Sequence, residues 1–121
     1  MTRVVWEFVT TAEYRTWARS LSDGNRARLQ RAEHRIIETG PRLGRPIADS
    51  VRGSRHSNMK ELRPTPTLRA FYALDPRQRV IMLCGGDKSA GQQGEKWYRK
   101  MIRRADRLYS SHLANMQEEA Q

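Results

Sequence analysis

Between Arg3 and Val9 the apolar residues Val4, Trp6 and Phe8 recur at a period of two, with Arg3 and Glu7 on the other side, which predicts a first strand. Thr10 stands three places before Glu13, a capping-box spacing, and Tyr14, Trp17, Ala18 and Leu21 then follow at i, i+3, i+4 and i+7. This predicts a short amphipathic helix. Ser22, Asp23, Gly24 and Asn25 break it and offer caps for a second helix carried by Leu29, Ala32, Ile36 and Ile37, which Gly40 and Pro41 end. The two helices form an antiparallel hairpin. Residues 41–58 hold Pro41, Gly44, Pro46 and Gly53 with few large apolar side chains, so they are expected to be a long connection with little regular structure.

Strand-like runs follow at Met59 to Arg63, Leu68 to Leu74 and Val80 to Cys84, separated by the turn formers P-T-P-T and D-P-R-Q. After Gly85 and Gly86 a polar stretch to Gly94 leads into a last helix. There Trp97, Met101, Ala105, Leu108 and His112 share one face, widened by Ile102, Tyr109, Leu113 and Met116. Gln117 to Gln121 is a polar tail expected to fray. The order β-α-α-β-β-β-α describes one α+β domain over residues 1–121, a small twisted antiparallel sheet packed on one face by helices. The other face is then open to a ligand.

Composition sharpens this picture. Only 21 of 121 residues are Leu, Ile, Val or Phe, but three Trp, four Tyr and five Met supply further apolar mass inside the periodic segments. A domain of this length buries enough surface to fold without staples. The lone Cys84 excludes a disulfide framework and a cysteine-based zinc site, and no apolar run is long enough to cross a membrane. With no signal-peptide core at the N-terminus, a cytoplasmic protein is expected. The 23 basic residues, 19 of them Arg, outnumber 13 acids and leave a net charge of +10. Such a surplus points to a polyanion, most simply nucleic acid, or to an acidic protein partner.

The hairpin from Met59 to Leu74, turning near Thr65 and Pro66, sets Glu61 opposite Phe71 and Arg63 opposite Arg69. Strand alternation places these four on one side and Leu62, Ala70, Tyr72 and Leu74 on the core side. Two facing arginines repel unless an anion lies between them. Glu61 fills that role in a plain salt-bridge ladder, or the group is a phosphate-binding, acid-base site; both readings fit. Arg69 alternates away from Leu68 and Ala70, so its truncation is expected to spare the fold.

Lys88, in G-G-D-K after the last strand, can reach the same face, although the segment lacks the spacing of a phosphate-binding loop and no nucleotide triphosphatase is expected. His34, His56 and His112 show no metal-ligand spacing; His56, in S-R-H-S-N, is a candidate acid or base. Ser54, Ser57 and Cys84 have no base and orienting acid in a suitable arrangement. Any nucleophile therefore belongs to the substrate. An RNA 2'-hydroxyl fits, because it needs a base, a proton donor and cations around the phosphate, and Glu61, His56, Lys60, Lys88 and the Arg63/Arg69 pair are the required types. In W-Y-R-K-M-I-R-R-A-D-R the residues Arg99, Lys100, Arg103, Arg104 and Arg107 form either a solvated basic face or a footprint on an RNA backbone, with Tyr98 as a base-stacking candidate.

The segments G-P-R-L-G-R-P (40–46), G-S-R-H-S-N-M-K-E-L-R (53–63), L-R-A-F-Y-A-L-D-P (68–76), R-V-I-M-L-C-G-G-D-K (79–88) and R-A-D-R-L-Y (104–109) resemble the RelE/ParE superfamily of type II toxins, in its HigB-like, phage Gp49-type branch. The resemblance covers about Val4 to Leu113. It implies the RelE-like fold and a ribosome-dependent endoribonuclease that cuts translated mRNA in the A site without a metal or other cofactor. It also implies silencing by a cognate helix-turn-helix antitoxin. On this resemblance the active face is filled by Lys60, Glu61 and Arg63 on the second strand, Arg69 on the third, and Lys88 with Tyr98; His56, Arg99 and Arg103 join Lys60 as RNA-binding candidates. The superfamily also contains gyrase poisons, and a plain nucleic-acid-binding module is the third alternative.

Overall fold

The computed structural model describes residues 6–89 and 94–120. Val4 of the expected first strand and Gln121 of the expected tail lie outside them. The strand that forms is β1 (Glu7–Thr10), followed by α1 (Ala12–Arg19) and α2 (Asp23–Thr39). The helix starts where a side chain can accept from the third helical amide, and that residue is Thr11, not Thr10: its Oγ1 accepts from the Tyr14 amide at 3.0 Å. The same hydroxyl donates to the Leu83 carbonyl at 2.6 Å, tying the helix start to a distant strand. Ser22 caps α2 by accepting from the Asn25 amide at 3.2 Å. Gly40 ends it with φ +63°, where a Cβ would also collide with the Trp6 indole.

A 3-10 turn (Gly40–Arg42) leads into β2 (Ala48–Ser50), then β3 (Met59–Leu62), β4 (Leu68–Leu74), β5 (Arg79–Asp87) and α3 (Gly94–Glu119). β2 corrects the expectation of an irregular 41–58 connection. Three residues are too few to display a period of two, and the strand exists through its ladder with β3, Ala48 facing Leu62 and Ser50 facing Lys60. α3 likewise runs to Glu119, through most of the polar tail expected to fray.

The five strands lie in the order β1-β5-β4-β3-β2, with β1 parallel to β5 and the remaining neighbours antiparallel. The fold is α+β as expected, and the hairpin register is as read from the turn, Glu61 facing Phe71 and Leu62 facing Ala70. The helices, however, cover both faces of the sheet. Tyr14, Leu29 and Ile36 pack against Leu62, Ala70, Tyr72, Val80 and Met82 on one side. On the other, Trp97, Met101, Ala105 and Tyr109 of α3 pack against Met59, Phe71, Ala73, Ile81 and Leu83. β4 and β5 are apolar at both parities, the signature of a strand covered on two sides. The polar exception on the α3 side is the end that carries Glu61 and Arg69.

Trp17 of α1 lies on the backbone of Gly85, where a Cβ would collide with the ring. At the opposite end of α3 the buried Asp75 carboxylate, in the β4–β5 turn, accepts from Arg79 Nε at 2.8 Å and meets His112 Nε2 at 2.9 Å. His112, expected within the apolar stripe, therefore turns its Nε2 to the carboxylate of that turn. Burial alone raises the Asp75 carboxyl, but His112 and Arg79 outweigh it and hold it below the ordinary aspartate value.

Candidate active site

β3 sends Glu61 to the α3 side of the sheet at a point beyond the apolar packing, and β4 sends Arg69 to the same side. Three groups converge on Glu61 Oε2: Arg63 Nε and the Tyr98 hydroxyl donate to it at 3.0 Å and 3.1 Å, and Arg69 Nε lies 3.1 Å away as an ion pair. Glu61 and Arg69 are 7% exposed at their side chains and Arg63 is 31% exposed, so the pair is sheltered and the third cation lies at the rim. Oε1 has no protein hydrogen bond among the described residues, which leaves the carboxylate an acceptor for a ligand.

Each donor is held in place. Arg69 Nη1 donates to the carbonyls of Thr65 (3.1 Å) and Leu68 (2.8 Å), while its Nε donates to the Tyr98 hydroxyl at 2.9 Å. Thr65 Oγ1 accepts from the amides of Thr67 (3.3 Å) and Leu68 (3.0 Å), which shapes the hairpin turn that presents those carbonyls. Tyr98 sits in the early turns of α3, its ring edge-on to Phe71 and Trp97. Burial and the Glu61 charge raise its phenol above the ordinary tyrosine value, against the pull of Arg69, so it stays protonated.

Asp49 is a site residue the sequence reading missed. It faces Glu61 across the β2–β3 ladder. Its Oδ2 accepts from Arg63 Nη2 at 3.4 Å and from Arg45 Nε at 3.0 Å. These contacts, the Arg45 hydrogen bond foremost, hold its carboxyl below the ordinary value. Nothing periodic marks Asp49 in the chain. The available signal was chemical: Asp49 lies four residues after Arg45, in a segment preceding a strand with its own carboxylate and arginine.

Lys88 follows β5 at the same end of the sheet, its amide donating to Thr67 O at 2.9 Å. Arg99 and Arg103 are exposed on α3 beside Tyr98. Two other candidates lie elsewhere. Lys60, one residue from Glu61, points to the opposite face, where its ammonium donates to Leu43 O at 2.6 Å; burial pulls it below the ordinary lysine value. His56 rests edge-on against Tyr109, with Nε2 3.1 Å from Ser110 Oγ. Tyr109 lies roughly 16 Å along α3 from Tyr98 at about 1.5 Å per residue. Asp106, the single acid of the basic segment from Trp97 to Arg107, pins the turn that carries His56, accepting from Ser54 Oγ at 2.5 Å and the Arg55 amide at 3.0 Å.

The cluster thus offers a carboxylate with an unused oxygen, two guanidinium groups and a protonated phenol, the elements of a base and an anion clamp. It contains no nucleophile. Ser54 is engaged by Asp106, and burial pushes the Cys84 thiol up to about 12. Among the described residues no group of three or more His, Cys, Asp or Glu is arranged to hold a metal ion.

This arrangement of helices on both faces of a sheet is the fold of RelE-like toxins: the chain superposes on a chain of the archaeal RelE-RelB complex from Pyrococcus horikoshii OT3 with a TM-score of 0.58 at 12% identity, over 73% of this chain and 100% of that one. It belongs to the family described as Phage derived protein Gp49-like (DUF891), whose model matches residues 16–110. Two relatives in Mycobacterium tuberculosis (strain ATCC 25618 / H37Rv) are named as candidate toxins. HigB2 is 44% identical over 87 residues, 69% of this chain and 42% of that protein. HigB3 is 44% identical over 77 residues, 63% of this chain and 66% of that protein. The matches therefore span less than two thirds of either relative. No helix among the described residues is long and apolar enough to cross a membrane.

Proposed function

We propose that the chain is the toxin of a type II toxin-antitoxin pair and an endoribonuclease that cuts ribosome-bound mRNA, using the RNA's own 2'-hydroxyl as nucleophile. The observation that carries this reading is the convergence of Arg63, Arg69 and Tyr98 on one oxygen of Glu61, which leaves the other oxygen open. Glu61 Oε1 takes the 2'-hydroxyl proton, the 2'-oxygen bonds to phosphorus, and the P–O5' bond breaks. The products are a 2',3'-cyclic phosphate and a 5'-hydroxyl. Arg69 Nη2 and Arg63 Nη1, which have no hydrogen bond among the described residues, receive the charge that develops on the phosphoryl oxygens. Lys88 supplies the proton to the leaving oxygen. Tyr98 positions Glu61 and Arg69, and Arg99 and Arg103 extend the contact along the RNA backbone. Lys60 and His56 have no part in this centre.

Neutralising +10 of charge suits both ribosomal RNA as the platform and a helix-turn-helix antitoxin with acidic segments as the silencer. Cytoplasmic action follows from both partners. The test is a translation reaction with purified protein, followed by mapping of mRNA 3' ends: cuts bearing 2',3'-cyclic phosphate are expected on ribosome-bound message. Intact mRNA together with blocked DNA supercoiling by gyrase overturns the nuclease reading in favour of a gyrase poison, and salt-dependent nucleic-acid binding without growth inhibition reduces it to a binding module.

A further inference from the structure

Beside the Glu61 cluster, between α2 and the edge of the sheet, lies a groove of about 580 Å³. One wall is a stripe of exposed arginines on α2, Arg28, Arg31 and Arg35, at i, i+3 and i+7, joined by His34. Arg63 closes the opposite side, so the groove and the catalytic cluster share a residue. Its remaining lining is aliphatic: Ala32, Ile47 and Pro64. No acidic side chain lines it among the described residues.

Like charges one helical turn apart destabilise a helix, and this stripe lacks the carboxylates that pair Arg26 with Asp23, Arg45 with Asp49 and Arg79 with Asp75. Along the stripe, Arg28 donates to Asn25 at 3.3 Å, and no ion pair forms among the described residues. Four guanidinium groups around an aliphatic floor call for an occupant with carboxylates at its edges and apolar side chains beneath. A single-stranded RNA would find only His34 and guanidinium planes to stack on, with no Phe, Tyr or Trp face, whereas the floor of Ala32, Ile47 and Pro64 suits the apolar side chains of a peptide.

We propose that this groove seats an acidic, amphipathic peptide segment of a partner protein, whose carboxylates pair with Arg28, Arg31 and Arg35 and compete with Glu61 for Arg63. Under the toxin reading, on which the identity of the partner rests, that segment belongs to the antitoxin. Its binding silences the site by disturbing the donor set of Glu61 from behind, without covering the sheet end.

The test is a titration of the full chain, isotopically labelled, with two probes: a synthetic amphipathic peptide with Leu on one helical face and Glu on the other, and a single-stranded oligouridylate. The peptide is expected to shift the backbone amides of α2 around Arg31 and that of Ile47. The double substitution Arg31→Glu with Arg35→Glu is expected to weaken it roughly tenfold or more. Both residues are exposed, so melting should be unaltered; if it is not, Arg31→Gln with Arg35→Gln replaces the pair. Peptide-induced shifts elsewhere, an affinity indifferent to these substitutions, absence of peptide binding, or oligouridylate occupying the groove in its place each overturn the proposal. Binding is read directly, so the result stands apart from whether the chain cleaves mRNA.

Discussion

Arg69 Nε lies 3.1 Å from Glu61 Oε2, with both side chains 7% exposed. The pair therefore holds the β3–β4 hairpin together as well as forming the centre of the site. Desolvated ions of this kind are costly to separate, because the survivor remains buried without its counter-charge.

Arg69→Ala is accordingly expected to destabilise the fold by about 3 to 5 kcal/mol, and under the proposed nuclease reading to abolish cleavage. This revises the expectation from strand alternation alone, under which Arg69 was dispensable to folding. Urea denaturation measures it; an unchanged midpoint would show that the pair contributes nothing to the hairpin. Arg63→Ala separates the two roles better, since its side chain is 31% exposed and the stability cost should be about 1 kcal/mol or less.

Tyr98→Phe keeps the ring against Phe71 and Trp97 and removes only the hydroxyl between Glu61 and Arg69. A loss of about 1 kcal/mol in stability is expected, with a larger proportional fall in the cleavage rate. Equal losses for Tyr98→Phe and Tyr98→Ala in melting would contradict the packing role of the ring.

Gly85→Ala should destabilise the protein by about 1 to 3 kcal/mol, because its methyl meets the Trp17 ring. Trp17→Ala alone should cost about 3 kcal/mol, near the lower end for a large aromatic because Trp17 is half-buried. In the double variant the alanine at position 85 has nothing to strike. The two costs must then fall short of additivity in a double-mutant cycle.

Asp75 sets an acid limit on stability. Its folded carboxyl titrates below the ordinary 3.8, so the unfolded chain binds the proton more readily and stability rises with pH through this window. The contribution is complete above the ordinary value and is lost as pH falls through the folded one. Melting temperatures followed downward from neutral pH should drop more steeply below about pH 4 for the parent than for Asp75→Asn. Parallel curves would remove Asp75 from the acid limb.

Much of this was legible in the chain. The hairpin register followed from its turn formers, and with it the approach of Glu61, Arg63 and Arg69, because alternation in a strand is rigid. The coverage of both sheet faces was also written in the unbroken apolar runs of β4 and β5, but an amphipathic α3 reads the same whichever face it joins. Asp49 and Asp106 were not legible as working residues. Asp49 reaches the site through Arg63, and Asp106 holds Ser54 and the Arg55 amide, contacts between segments far apart in the chain that leave no period. Lys60 and Glu61 show the reverse: adjacency in sequence suggested one site, and the pleat sent them to opposite sides.

The pairing of β1 with β5 bears on the order in which the molecule assembles. Its two strands are joined by a chain excursion of the length separating Thr11 from Leu83, 72 positions, whereas β4 and β5 meet across a tight turn. Closing the longer excursion costs about 2 kcal/mol more chain entropy, so the β3-β4-β5 meander should form early and the N-terminal strand should dock last. The seam between β1 and β5 is then the first part of the sheet to open in native-state hydrogen exchange. Trp17, in the helix that follows β1, rests on Gly85 three residues beyond the end of that seam, and is placed to report the event by its fluorescence.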